Sequence, residues 1–149
     1  MYPLKKPYNK ITTPFHKEGK MWSTGRHEGV DFACPSGTPV YAVADGVVVG
    51  TGIWGSAYGE HSLVIKHQGK VRPLYVMYAH GRKLYVKKGD KVKMGQHVLD
   101  SGAEGNVSGP HLHLEVQAQD HWVKGGGLDP TYLLELKPEA EDKDDAKEA

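Results

Sequence analysis

The sequence predicts a mostly β domain, an antiparallel sandwich or open barrel with little helix. The chain has 149 residues, which is enough for one domain with a real core, and it is rich in turn formers, with 19 Gly and 9 Pro. Its apolar runs are short and are separated by turn signals at intervals of about 8–12 residues, the pattern of antiparallel strands. We therefore expect a single domain over 1–137 and a charged tail over 138–149, which lacks apolar periodicity and is expected to be disordered.

The predicted strands follow the turn signals along the chain. Segment 11–15 is one short candidate, and Asp45-Gly46 predicts a hairpin that joins strands 38–44 and 47–50. Leu128 begins a stretch that can close the domain with one short turn of helix. Further strands are expected at 62–67, 74–80, 91–93, 96–100 and 108–118.

Composition excludes several classes of function. The net charge of +1 gives no basic footprint for nucleic acid. Cys34 is the single cysteine, so the chain has no internal disulfide and no cysteine zinc cage, and the flanking Ala33 and Pro35 predict a buried structural thiol. No leader-like or membrane-spanning apolar segment is present, which predicts synthesis as a soluble cytoplasmic polypeptide with no membrane insertion.

The chain has nine histidines, and the pair His111 and His113 lies in the most informative stretch of sequence. Gly109-Pro110 marks a turn, and the alternation after it predicts a strand with His111 and His113 on one face and Leu112 and Leu114 packed on the other. Two imidazoles on one face can bind one metal, can divide between metal and substrate, or can belong to a polar edge strand. Four other histidines are expected to be solvent-facing or turn residues: His16, His67, His97 and His121.

His27 and Asp31 form a second candidate group. Gly29 within the segment and Pro35 after it argue against a helix, and on an extended chain the even spacing puts His27 and Asp31 on one side. With one imidazole of the His-x-His pair they would give three nitrogen and oxygen ligands and a free fourth position, as in a catalytic zinc site. His80 ends a predicted strand, where it could accept a proton or stabilise an oxyanion.

Three motifs in this order resemble the lysostaphin/LytM-type zinc endopeptidases of bacterial cell walls: His27-x-Gly-x-Asp31, Tyr78-Ala-His80 and Gly-Pro-His111-Leu-His113-x-Glu. The resemblance extends from Ile11 to Tyr132. It implies the two-sheet peptidase fold, and activity as a zinc endopeptidase that hydrolyses stem-peptide or cross-bridge bonds of peptidoglycan in cell lysis. It also implies one zinc ion per chain held by His27, Asp31 and His113, with His80 and His111 beside the attacking water and the scissile carbonyl.

The chain departs from this family pattern at a few positions. Gly81 stands where Leu is usual and Leu114 where Phe is common, and both departures look tolerable. His61 stands where relatives often have Asn, in the same loop as Trp54, so this groove wall bears on the choice of substrate.

The five ligand and catalytic positions are intact, which favours an active enzyme over a non-catalytic wall-binding or phage structural module. A cysteine peptidase that uses Cys34 is a third hypothesis. The lack of a leader-like segment and of an anchoring or wall-binding repeat favours a phage endolysin, an antimicrobial enzyme that reaches the wall after release. We expect a monomer, since nothing in the sequence suggests an obligate dimer. The sequence leaves open which peptide bond is cut.

Overall fold

The computed structural model describes residues 1–22, 25–105 and 107–137, and its strands form two antiparallel sheets. The strands are β1 (Val30–Ala33), β2 (Pro39–Tyr41), β3 (Gly46–Thr51), β4 (Leu63–Gln68), β5 (Pro73–Ala79), β6 (Lys83–Leu84), β7 (Lys91–Val92), β8 (His97–Asp100) and β9 (His111–Gln117). The larger sheet has the strand order β1-β9-β5-β4-β3-β7 and the smaller one β2-β8-β6. The larger sheet ends in β1 and β7, so it is open and not a closed barrel.

Helix is nearly absent from the described chain, which confirms the predicted mostly β class. A 3₁₀ turn (Ser56–Tyr58) precedes β4, and the four-residue helix α1 (Thr131–Leu134) stands where the closing turn was predicted. None of the helices in the described ranges has the length and apolar character needed to cross a bilayer. The predicted charged tail, 138–149, lies outside the described residues.

One apolar core joins the two sheets. Phe32 and Leu112 from the larger sheet and Val40 and Leu99 from the smaller one are fully buried in the same cluster. Burial of such side chains contributes about 1.5–3 kcal/mol each to folding. Cys34 is free and 6% exposed in this cluster, as a structural thiol should be.

The predicted Asp45-Gly46 hairpin is wrong. β2 and β3 lie in different sheets, because β2 pairs with β8 whereas β3 pairs with β4 and β7. The Asp45 carboxylate accepts a hydrogen bond from the Met94 amide at 2.8 Å, so the turn is tied to a distant loop. Segment 11–15 is not a strand either, since it contributes only an isolated bridge between Thr13 and Asp31.

The expectation that His67 faces solvent is also wrong, because this side chain is 1% exposed. Its Nδ1–H donates to the Asp45 carbonyl at 3.0 Å, and its Nε2 accepts from the Tyr78 hydroxyl at 3.1 Å. Burial lowers the pKa of His67 to about 4, so the ring stays neutral in the core.

β9 lies between β1 and β5, and this pairing builds the site. In the antiparallel register, Asp31 of β1 lies opposite His113 of β9, and Ala79 of β5 lies opposite His113 on the other side. Leu112 and Leu114 are fully buried in the core, as the alternation predicted. The histidines of β9 therefore face away from the core, beside the end of β5 where His80 follows.

We expect Gly81→Leu, which restores the usual family residue, to lower the free energy of unfolding by about 1–3 kcal/mol through overpacking. A Cβ at Gly81 would lie 2.3 Å from Cδ1 of Leu99 and 3.1 Å from the His61 carbonyl oxygen. Gly109→Ala is the matched control for stability, because a Cβ there meets nothing within 4 Å. Equal urea midpoints for the two variants would contradict this steric explanation.

Candidate metal centre and catalytic cleft

His27, Asp31 and His113 form a compact cluster with one ligand atom from each within 4.8 Å of the others. Oδ1 of Asp31 lies 3.1 Å from Nε2 of His27 and 2.8 Å from Nδ1 of His113. The structure therefore brings together the three residues that the resemblance implies as zinc ligands. Two imidazoles and a carboxylate are the donor set of a catalytic zinc site, which keeps a position open for water or substrate.

The His27 ring is oriented by the segment before β1. Its backbone amide donates to the Lys17 carbonyl at 2.8 Å, and its Nδ1–H donates to the Pro14 carbonyl at 3.2 Å. A histidine that donates one ring N–H to a carbonyl is fixed with the lone pair of its other nitrogen free for a metal. Nε2 of His27 is thus oriented so that it can bind a metal. His27 lies in the loop before β1, whereas Asp31 lies on β1 itself.

Glu115 orients His113 from behind, a role that the sequence did not reveal. Nε2–H of His113 donates to Oε1 of Glu115 at 2.9 Å, and the amide of Gln117 donates to Oε2 of Glu115 at 2.8 Å. This carboxylate–histidine pair turns Nδ1 of His113 towards Asp31. The signal was present, because Glu115 is two residues after His113 and shares its face of the strand.

The cluster stabilises positive charge at its centre. Burial disfavours the charged form of His113, but its hydrogen bonds to Asp31 and Glu115 outweigh burial and raise the pKa of His113 to about 9. Burial would raise the pKa of Asp31, yet its close contacts with the His113 and His27 rings hold it well below its usual range. The partly exposed carboxylate of Asp31, the buried carboxylate of Glu115 and the oriented imidazoles give this site a charge environment that suits a divalent cation.

His80 and His111 lie next to this cluster with their ring centroids 4.9 Å apart. Nδ1–H of His80 donates to the Glu104 carbonyl at 2.6 Å, and Nδ1–H of His111 donates to the Gly109 carbonyl at 2.9 Å. Nε2 of His111 is 3.8 Å from Oδ2 of Asp31. The Nδ1 of each ring is thus committed to a carbonyl, which leaves Nε2 for other contacts beside the cluster. Burial lowers the pKa of His80 to about 4.

These groups line an open cleft of about 680 Å³. On one wall the ring centroids of Trp22 and His27 lie 5.0 Å apart, and on another the ring centroids of Tyr58 and His113 lie 6.4 Å apart. Burial raises the pKa of Tyr58 to about 12, so its hydroxyl stays protonated. Segment 107–110 completes the rim. Trp54, by contrast, packs against Trp122 in a small separate cluster.

A two-sheet antiparallel domain with a His-Asp-His cluster at the floor of an open cleft is typical of a metal-dependent hydrolase. The chain belongs to peptidase family M23, whose family model matches residues 25–125. It is 42% identical over 125 residues to the peptidoglycan DD-endopeptidase ShyB of Vibrio cholerae, an alignment that covers 82% of this chain and 28% of the relative. It is 47% identical over 90 residues to ShyA of the same organism, covering 60% of this chain and 20% of that protein. The chain thus spans less than a third of either relative.

Solved structures give the same fold. The catalytic domain of the antimicrobial peptidase lysostaphin from Staphylococcus simulans has a TM-score of 0.74 and 30% identity, with 85% of this chain and 92% of that chain covered. The catalytic domain of the prophage-encoded M23 protein EnpA from Enterococcus faecalis, crystallised as a point mutant, has a TM-score of 0.70 and 29% identity, with 87% and 95% covered. The resemblance to the lysostaphin/LytM-type family is confirmed.

Proposed function

We propose that this domain is a zinc-dependent endopeptidase that hydrolyses peptide bonds in bacterial peptidoglycan. The observation that carries the proposal is the single cleft in which His27, Asp31 and His113 converge beside two further histidines, His80 and His111. Membership of peptidase family M23 supports it, as do the names of the DD-endopeptidase relatives. Intact ligands and catalytic histidines weigh against a non-catalytic binding module.

The donor set fits one zinc ion, held by Nε2 of His27, a carboxylate oxygen of Asp31 and Nδ1 of His113. Zinc supplies a Lewis acid that polarises a carbonyl and makes water more acidic. The chain itself must move the protons. His80 stays neutral at physiological pH and has its Nδ1–H committed to Glu104, so it can take a proton from the attacking water only at Nε2.

His111 stands across from His80 and also offers Nε2, since its Nδ1–H donates to Gly109. A proton held at Nε2 of one of these rings can pass to the amine that leaves when the peptide bond breaks, which regenerates the neutral ring. A protonated ring can also donate a hydrogen bond to the developing oxyanion. Glu115 keeps His113 in the orientation that presents Nδ1 to Asp31.

Cys34 is not part of this chemistry. Its side chain is 6% exposed within the core between the sheets. A cysteine nucleophile must be accessible to substrate and must lie beside a base. The buried environment of Cys34 therefore argues against the cysteine peptidase hypothesis.

We propose a direct DD cross-link as the preferred bond, because several of the related proteins are named DD-endopeptidases. The domain is proposed to act as a monomer, since one chain supplies every residue of the site. We also propose that the protein is synthesised in a host cytoplasm and acts on the wall after release, as a phage endolysin does. One structural neighbour, the M23 protein EnpA of Enterococcus faecalis, is prophage-encoded.

The test is digestion of purified walls of two chemotypes, one glycine-bridged and one directly cross-linked through diaminopimelate. Each wall is incubated with the domain, with the domain plus chelator, and with the chelated domain after zinc is restored. We expect new amino termini only with zinc, chiefly from the directly cross-linked wall, and mass analysis of the fragments identifies the bond. Chelator should lower the rate by at least about 1,000-fold, because the Lewis acid contributes several kcal/mol to the transition state.

Release that persists in chelator would contradict the zinc site. Faster release from the glycine-bridged wall would overturn the DD assignment and leave the endopeptidase proposal intact. Binding to both walls without release from either would favour the non-catalytic module.

A further inference from the structure

His80 is held in an unusual position by two loops. Its φ of 66° lies in the left-handed region, which is unfavourable for a residue with a side chain. The backbone amide of His80 donates to the Tyr58 carbonyl at 2.9 Å, and its ring donates to the Glu104 carbonyl at 2.6 Å. The orientation of the His80 ring therefore depends on where the loops that carry Tyr58 and Glu104 lie.

Those two loops touch one another. Gly59 and Gly105 both have positive φ, at 90° and 88°. A Cβ at Gly59 would lie 2.9 Å from Cβ of Glu104, and a Cβ at Gly105 would lie 2.3 Å from the Ala57 carbonyl oxygen. The backbones thus approach as closely as glycine permits, and a direct side-chain contact between the loops would add to the hydrogen bonds that each loop makes to His80.

His61 supplies that contact. Its Nδ1 lies 2.8 Å from Oε1 and 3.0 Å from Oε2 of Glu104, so one ring N–H is shared by both carboxylate oxygens. Glu104 is therefore fixed at two points, since His61 holds its side chain while its carbonyl accepts a hydrogen bond from Nδ1–H of His80. We propose that this pair, the His61–Glu104 latch, positions His80 for catalysis.

The latch is suited to positioning and not to overall stability. The two side chains are 33% and 32% exposed, and an ion pair at that exposure adds little to the free energy of unfolding. Its effect is local, because an error of a fraction of an ångström in a catalytic ring is enough to slow proton transfer. Neither residue touches substrate in this proposal, so both are positioning residues.

The same atoms could instead hold a cation. Glu60, His61 and Glu104 bring ligand atoms within 4.8 Å of one another, but Glu60 is exposed and the His61 nitrogen already points at Glu104. The geometry favours the hydrogen bond, and a second bound metal is an outcome that the test must be able to detect.

The proposal rests on the endopeptidase function, but its first readout does not need activity. In the zinc-loaded domain, long-range ¹H–¹⁵N NMR of the His80 ring should show the proton on Nδ1. We expect His61→Ala and Glu104→Ala to shift these signals towards a mixture of tautomers, while the thermal midpoint stays within a degree or two. His61→Asn keeps a donor at the place of Nδ1 and Glu104→Gln keeps an acceptor, so both should restore the wild-type signals.

His97→Ala is the matched control, since His97 and Asp100 form a comparable pair at 2.8 Å on the smaller sheet. On cross-linked wall peptides we expect kcat to fall roughly tenfold in the two latch alanine variants, with KM unchanged. The control should keep the wild-type kcat and His80 signals.

Three results would overturn the proposal: unchanged His80 signals in both alanine variants, failure of both conservative variants to rescue, or a second zinc ion bound by wild type and lost in His61→Ala. If the wild-type domain hydrolyses no wall peptide, the proposed function fails. The NMR comparison still decides whether the latch orients His80.

Discussion

His113→Ala should abolish zinc binding and reduce wall hydrolysis by more than about 1,000-fold, the largest effect that we expect from a single substitution. The replacement removes a proposed ligand and leaves the carboxylates of Asp31, which is partly exposed, and Glu115, which is buried, without the ring that bridges them. Zinc content by mass spectrometry of the native protein and the rate of fragment release are the two measurements. Both must fall together.

The control for this variant is His121→Ala, because the His121 side chain is 79% exposed and its ionic contact is with Asp120, which is not part of the cluster. Loss of the bridging ring can also destabilise the metal-free fold, since unpaired buried carboxylates are costly. Asp31→Asn is therefore made in parallel, as it keeps the shape of the side chain and weakens the metal site alone. Full zinc content in both variants would refute the assigned ligand set.

His111→Ala should lower kcat by about 100- to 10,000-fold while one zinc ion per chain is retained. His111 contributes no atom to the three-residue cluster. Its Nε2 is 3.8 Å from Oδ2 of Asp31, whereas Nε2 of His27 and Nδ1 of His113 lie 3.1 and 2.8 Å from Oδ1 of Asp31. The lower kcat would then reflect slower proton transfer and not a loss of bound zinc. Zinc content and kcat measured on the same preparation separate the two.

His80→Ala is the companion variant, and the double variant shows whether the two histidines act as a unit. If they share one proton pathway, the double variant should be hardly slower than the worse single variant, because residues that act together give non-additive losses. Loss of zinc from His111→Ala would instead make His111 a ligand. Strictly multiplicative losses would assign the two rings to separate steps.

The sequence by itself determined the elements whose geometry is local. The alternation at 111–114 predicted which side chains enter the core, and Leu112 and Leu114 are indeed fully buried. The strands predicted at 62–67 and 74–80 correspond to β4 and β5. Such features follow from the two-residue repeat of a strand and from turn chemistry, which depend only on neighbouring residues.

The tertiary structure decided everything that depends on contact between distant segments. The register that sets Asp31 opposite His113 joins residues 82 positions apart, and no local pattern encodes it. The same holds for the Asp45 turn, which separates two sheets where a hairpin was predicted, and for the burial of His67.

The orientation of the catalytic rings is likewise a tertiary property. His80 takes its direction from the Glu104 carbonyl and His27 from the Pro14 carbonyl, and backbone acceptors carry no residue-specific signal in a sequence. The motifs named the side chains that converge in the cleft. Their directions come from loops that only the folded chain brings together, because hydrogen bonds between distant segments form only when the core holds those segments in place.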